Sequence, residues 1–440
     1  MKPLINRQYI EKTVKYFQTD RRTSVCFCII RMVLGFDVTK KSILTIEKIY
    51  SIIKNVKICR FLRKGASKKN RHKNKGDDWM LQFFRKKQQF LAVSYATILH
   101  CLVDFCCIYL MMQLVLPACQ RTRLSDWLIY TILYNFIAFA GQLPVGILGD
   151  WLQRNMNLIA VGLLLLLIAY CGALFGFPIP YIVLLLGIGN ACFHVGGGRA
   201  AMEWKENACQ PVGIFVATGA FGVFGGKWVF GNGMNWIIPM IVVLSVALLI
   251  QLIFCYHSEE RNLPKQAFSI KPVHGNWSLL MAFCCILVVV LRSFTGNIMQ
   301  FPWSKGWFAL FLTLAIVLGK AGGGILADRF GIRSTIIGSL TICALLFLGA
   351  NRFAICGLLA VFLFNMTMPI TLSLLGMQFP HAKGMAFGAL TFALFVGLIP
   401  SYFRNTADFT KPWVYCLLTV LSLVILYAPM LRNAKKRNLT

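Results

Sequence analysis

The chain has 440 residues, of which 58% are hydrophobic and only 14% charged, against about 25% charged in an ordinary soluble domain. With a mean hydropathy of +0.67 it is excluded as a water-soluble globule, and a bilayer must be its solvent. Its 45 Lys and Arg against 15 Asp and Glu give a net +30, but these charges crowd before Phe90 and into short gaps between apolar runs, which is the positive-inside pattern and not that of a nucleic-acid binder.

Residues 1–89 read as a basic cytoplasmic tail. Their most apolar stretch, Val25 to Phe36, is interrupted by Arg31 and is too short to cross about 30 Å of hydrocarbon. The Lys- and Arg-rich stretch from Ile58 to Gly76 is expected to be disordered or to lie on anionic lipid. Met80 is a candidate alternative initiator, which would place residues 1–79 outside the natural coding start. Six spans are then predicted: Phe90–Leu116, Trp127–Leu148, Leu158–Phe175, Tyr181–Gly198, Val212–Phe230 and Trp236–Tyr256. A polar cytoplasmic linker covers 257–276. Six more spans follow: Trp277–Phe301, Trp307–Ala327, Ser334–Gly349, Phe353–Gly376, Gly384–Phe403 and Pro412–Leu431. The expected architecture is therefore an all-α integral membrane protein of about twelve helices, in halves 90–256 and 277–440.

An even number of spans puts both termini on one side, and the excess of Lys and Arg in alternate loops makes that side the cytoplasm of a cell membrane. Most of the 16 cysteines sit singly in apolar runs, and the pairs Cys106-Cys107 and Cys284-Cys285 point to different helix faces. They read as small buried hydrophobes, and no metal is expected.

A motif recurs after the second span of each half. The first copy runs Gly146-Ile147-Leu148-Gly149-Asp150-Trp151-Leu152-Gln153-Arg154. The second runs Gly324-Ile325-Leu326-Ala327-Asp328-Arg329-Phe330-Gly331-Ile332-Arg333. Small residues before the Asp let two helices approach closely, and the Asp at the membrane edge can face the positive end of a helix from the other half. The plainer reading anchors each loop to lipid headgroups. The repeat resembles the signature loop of the major facilitator superfamily, Gly-x-Leu-x-Asp-Arg-x-Gly-Arg-Arg. The second copy is nearly complete, while the first has Trp151 for the basic residue and Gln153 for the later glycine. The resemblance covers everything from about Phe90 onward. It implies two six-helix halves about a central cavity that opens alternately to each side. It also implies that Asp150 meets the start of the eleventh helix near Gly384 and Asp328 the start of the fifth near Val212, closing a cytoplasmic gate.

Ionisable groups within spans are expensive and default to functional candidates. His100 and Asp104 share a face of the first span, at i,i+4. Arg292 lies at a similar depth in the seventh. In the resembled family the first, fourth, seventh and tenth helices line the cavity, so Asp104 and Arg292 are expected to face one another, either as a proton-sensitive pair or as a static one. His194, in Gly189-Asn190-Ala191-Cys192-Phe193-His194-Val195-Gly196-Gly197-Gly198-Arg199, is a second proton-handling candidate or a structural histidine. Phe-His here, with His-x-x-x-Asp in the first span, is similar to the fosmidomycin-resistance branch, where Pro usually stands in place of Val195. Lys320 lies about 12 Å of helix before Asp328, where it lines an anion path or snorkels to headgroups. Asn365 is the best further cavity contact, with Thr367 and Thr371 beside it.

No nucleotide-binding, zinc-protease or hydrolase motif is present, so neither an enzyme nor an ATP-driven pump is expected, and no cofactor. The leading expectation is a monomeric secondary transporter of a small molecule, exporting it by antiport against protons. The alternatives are import of a small organic anion by symport, and a non-transporting receptor or scaffold on a transporter fold.

Overall fold

The computed structural model describes residues 75–121, 123–258, 267–403 and 406–437. The expectations for the basic tail before residue 75 and for linker residues 259–266 lie outside them. The chain divides into units 1–82 and 83–440, and the second carries every span.

Twelve helices among the described residues are long and apolar enough to cross a membrane. They are α1 (Gln89–Arg121), α2 (Ser125–Leu152), α3 (Asn155–Leu174), α4 (Ile179–Trp204), α5 (Gln210–Gly231) and α6 (Ile237–Tyr256), then α7 (Asn276–Ile298), α8 (Trp307–Phe330), α9 (Ile332–Gly349), α10 (Ala354–Gln378), α11 (Lys383–Phe403) and α12 (Pro412–Leu431). All twelve fall where the apolar runs place them. The largest difference is in α4, expected to stop at Gly198 but continuing to Trp204. Arg199 does not end it, because Asp150 and Glu203 neutralise its charge inside the bundle. At the other extreme α7 stops at Ile298, before Pro302, and Met299 turns to an extended conformation.

The two halves repeat one burial pattern. α4 and α10 are the most enclosed spans, and every residue of α4 from Gly189 to Met202 is buried. A helix buried on all sides carries no amphipathic stripe, which is why these spans read as uniformly apolar. Ile98, Ile238, Leu345 and Leu417 present their side chains outward, an apolar surface that only lipid tails would cover.

Two seams join the halves: α2 against α11, and α5 against α8. Glycines set both. A Cβ on Gly146 would overlap the Gly384 carbonyl, and one on Gly388 the Gln142 carbonyl. On the second seam a Cβ on Gly213 would lie 2.8 Å from the Lys320 carbonyl oxygen, and one on Gly324 2.6 Å from that of Cys209. Backbone-to-backbone contact of this kind draws its strength from van der Waals packing, since lipid offers helices no hydrophobic drive to associate.

Candidate functional site

The repeated motif builds the end of each seam. Asp150, at the end of α2, accepts hydrogen bonds from the Gly384 and Met385 amides at 2.8 and 2.7 Å. These are orphan donors of the first turn of α11, and a carboxylate satisfies them together with the positive end of the helix dipole. Asp328, at the end of α8, accepts from the Cys209 and Gln210 amides, at 2.7 and 3.1 Å, as α5 begins. Gly146 and Gly324 are the close-approach residues described above. Gly331, at φ +89°, turns the chain from α8 into α9, and Arg333 donates to the Met430 carbonyl of α12. Arg329 lies over the Phe330 ring, and Arg154 is exposed at the entry to α3; neither forms an ion pair among the described residues.

In the first copy, the cation that the motif lacks at Trp151 comes from α4. Arg199 Nε lies 3.0 Å from Asp150, its Nη1 donates to the Gly149 carbonyl and to Asn155, and its Nη2 pairs with Glu203 at 2.8 Å. Asn155 donates in turn to Glu203. The predicted fourth span ends at Gly198 and leaves Arg199 outside it, whereas here Arg199 lies inside α4 and both of its Nη groups are engaged. Gln153 occupies the left-handed position, φ +53°, where the second copy has glycine. Gln153→Gly should therefore exceed Gln153→Ala in stability by about 1 kcal/mol in thermal unfolding, since both lose the side chain but only glycine relieves the backbone. Equal stability would remove that account.

Half-way along the bundle, α1, α4 and α5 converge on a second polar cluster. His100 Nε2 lies 3.3 Å from Asp104 Oδ2, and His194 Nε2 lies 3.4 Å from Asp104 Oδ1. The two Nε2 atoms are 2.9 Å apart. His100 Nδ1 faces the Phe215 carbonyl at 2.7 Å, and His194 Nδ1 faces the Asn190 carbonyl at 2.9 Å. A carbonyl can only accept, so both Nδ1 atoms are donors, and in neutral rings both Nε2 atoms are bare acceptors. Two such acceptors at hydrogen-bond distance beside a carboxylate repel one another until a proton enters. A single proton on either Nε2 turns two of the three contacts to attraction, its own contacts with the carboxylate and with the other ring. The packing enforces this convergence: Phe215 stacks on His100 with ring centroids 4.8 Å apart, and a Cβ on Gly219 would overlap both Asp104 and His100.

The three side chains are also donor types that suit a transition-metal ion. Lys320 of α8 lies near enough to feel the charges of Asp104 and His194, and its own charge opposes a divalent cation more than a proton.

Arg292 does not take the place expected for it opposite Asp104. No ion pair within 4.0 Å joins it to an acidic side chain among the described residues; the histidines fill Asp104's contacts, and Lys320 is the cation of the second half within its reach. Arg292 is only 8% exposed and its Nε has no hydrogen-bond partner. Lys320, partly buried, lies within electrostatic range of it. Asn365, half-buried, donates to its own helix at the Val361 carbonyl and packs against Gly319, beside Lys320. Thr367 and Thr371 bond within α10. Sequence reasoning passed over Asn155, Glu203, Phe215 and Gly219. Only Gly219 carried a signal, as a glycine in mid-span.

No protein-family profile and no curated protein matches the chain by sequence. Solved structures match it by shape. The human organic anion transporter MFSD10 aligns with a TM-score of 0.59 at 14% identity, over 78% of this chain and 99% of that one. The E. coli fucose:proton symporter FucP gives 0.55 at 12% identity, over 78% and 99%. A bacterial homologue of the iron transporter ferroportin, in an outward-facing state, gives 0.53 at 12% identity, over 78% and 99%. FucP is a major facilitator superfamily transporter, so the twelve spans have the major facilitator fold.

Proposed function

We propose that this multi-pass membrane protein is a secondary active transporter, in which the two halves rock about the seams and a proton bound at His100, Asp104 and His194 couples transport to an ion gradient. The observation that carries this is the convergence of three acceptors with both Nδ1 atoms already committed to carbonyls. Such a site favours one proton, and histidine is the side chain whose charge changes most readily near neutral pH. The fold supports the transport reading, and one matched structure is a proton symporter. In this reading the Asp150 and Asp328 contacts are the closed gate on the side of both termini, taken as the cytoplasm. Similarity to the fosmidomycin-resistance branch rests on the His100, Asp104 and His194 pattern alone.

The test uses purified protein in liposomes that enclose a pH-sensitive dye, with a substrate found by thermal-shift screening. Substrate-dependent proton flux should fall about ten-fold or more in Asp104→Asn, with insertion unchanged. Undiminished flux would remove the cluster as the coupling site. A substrate that moves with no proton flux in the unaltered protein would remove proton coupling altogether.

A further inference from the structure

Among the described residues, two charges enclosed within the spans, Arg292 of α7 and Lys320 of α8, lack a carboxylate within ion-pair distance. At the end of the first seam Arg199 is flanked by Asp150 and Glu203. Arg292 and Lys320 have no such partners: neither lies within 4.0 Å of a carboxylate among the described residues, and Arg292 Nε donates to nothing. The acid within electrostatic range of Lys320 is Asp104, whose oxygens are engaged by two histidines and, at 3.5 Å, by Asn190. Two cations thus face one anion. An uncompensated buried charge is costly, and a protein that retains one does so for a counter-charge supplied from outside.

We propose that Arg292 and Lys320 bind a small oxyanion of the carboxylate, sulfonate or phosphate type as substrate, and that this anion binds together with the proton of the histidine cluster. The guanidinium offers a planar fork that matches two oxygens of such a group, and the ammonium adds a point charge. Asn365, whose Cβ packs against Gly319 next to Lys320 and whose amide nitrogen donates one hydrogen to the Val361 carbonyl, has its second amide hydrogen for a third contact. The second half of the proposal rests on the proton-coupled reading above. A proton on the cluster cancels the charge of Asp104 and leaves Arg292 and Lys320 unopposed, so it strengthens anion binding. By linkage the anion then strengthens proton binding by the same factor. Binding together is what symport requires; in antiport the two exclude one another. The other groups that face Asp104 are Cys101 and Cys107 on α1 and Tyr134 on α2. Thiols and phenols are uncharged at mildly acid pH, so they do not alter this balance.

The experiment is a thermal-shift titration of the purified full-length protein with methanesulfonate, whose charge is constant across the range, and with neutral dimethyl sulfone as control, at fixed ionic strength. Methanesulfonate should stabilise the protein where the sulfone does not, and its affinity should rise about three-fold or more between about pH 8 and about pH 5.5. Arg292→Gln and Lys320→Gln should each weaken it about ten-fold at both pH values, and Arg292→Lys should retain part of the affinity. Asp104→Asn should bind the anion more tightly at the higher pH and lose the pH dependence. Absence of stabilisation beyond the sulfone, or equal affinity in Arg292→Gln and Lys320→Gln, overturns the anion site. Binding that is intact but flat with pH leaves the site standing and overturns the joint binding of proton and anion. Proton flux with a neutral substrate, lost in Asp104→Asn, would uphold the coupling cluster while the anion site fails. Each variant is first checked for wild-type behaviour in size-exclusion chromatography.

Discussion

Asp150→Ala should be the most damaging single substitution at the motif end of the bundle, costing about 3–5 kcal/mol in unfolding of the purified protein. Asp150 is 2% exposed and holds two amides of α11 as well as the Arg199 guanidinium. Its removal strands all three. Glu203 remains beside Arg199, but its side chain is 38% exposed and water already screens it. The amides of Gly384 and Met385 lose their acceptor outright, and unsatisfied buried donors cost about 1–3 kcal/mol each. Adding Arg199→Met should recover part of the loss, because the double variant no longer buries an unpaired cation. A loss below about 1 kcal/mol in Asp150→Ala would mean that the network carries little of the stability.

Gly219→Val should abolish coupled transport while the protein still inserts, with a loss of about ten-fold or more in rate. A Cβ at this position of α5 would occupy the space of Asp104 Oδ2 and His100 Nε2. Neither group has room to retreat, since Phe215 covers the ring of His100 and His194 stands 2.9 Å away. Gly219→Ala should show a smaller loss in the same direction. Gly296→Ala on α7 is the control, because its Cβ meets nothing within 4 Å. Transport by Gly219→Val at the rate of Gly296→Ala would show that the close approach of α5 to the cluster is dispensable.

The spans were legible in the sequence because a bilayer demands about twenty apolar residues at a time, and Pro412–Leu431 needed no correction at all. His100 and Asp104 were legible as a pair because i,i+4 spacing fixes a shared helix face. What crosses between helices was not. The π-type turns at Met111–Val115 in α1 and Phe136–Ala140 in α2 each insert a residue into the helical repeat, so no single periodicity carries a face from one end of those spans to the other. The Phe215 carbonyl, which fixes the tautomer of His100, is a backbone group that no motif can mark. The predicted fourth span stopped short of Arg199 because its main partner, Asp150, meets it only when α2 and α4 pack. For the same reason Arg292 was assigned the carboxylate that the histidines occupy.

The two motif copies are not fastened equally. Asp150 holds its seam with two amides and a guanidinium, whereas Asp328 has two amides, one of them at 3.1 Å, and its neighbour Arg329 turns to an aromatic ring. Fasteners of unequal strength release in order. Under the proposed transport cycle, the α5 and α8 side would part first while α2 and α11 stay joined, so the halves would swing like a door on a jamb and not spread like a clamshell. Molecules entering from the side of the termini would then meet Lys320 early in their path, because its own backbone forms part of the edge that opens.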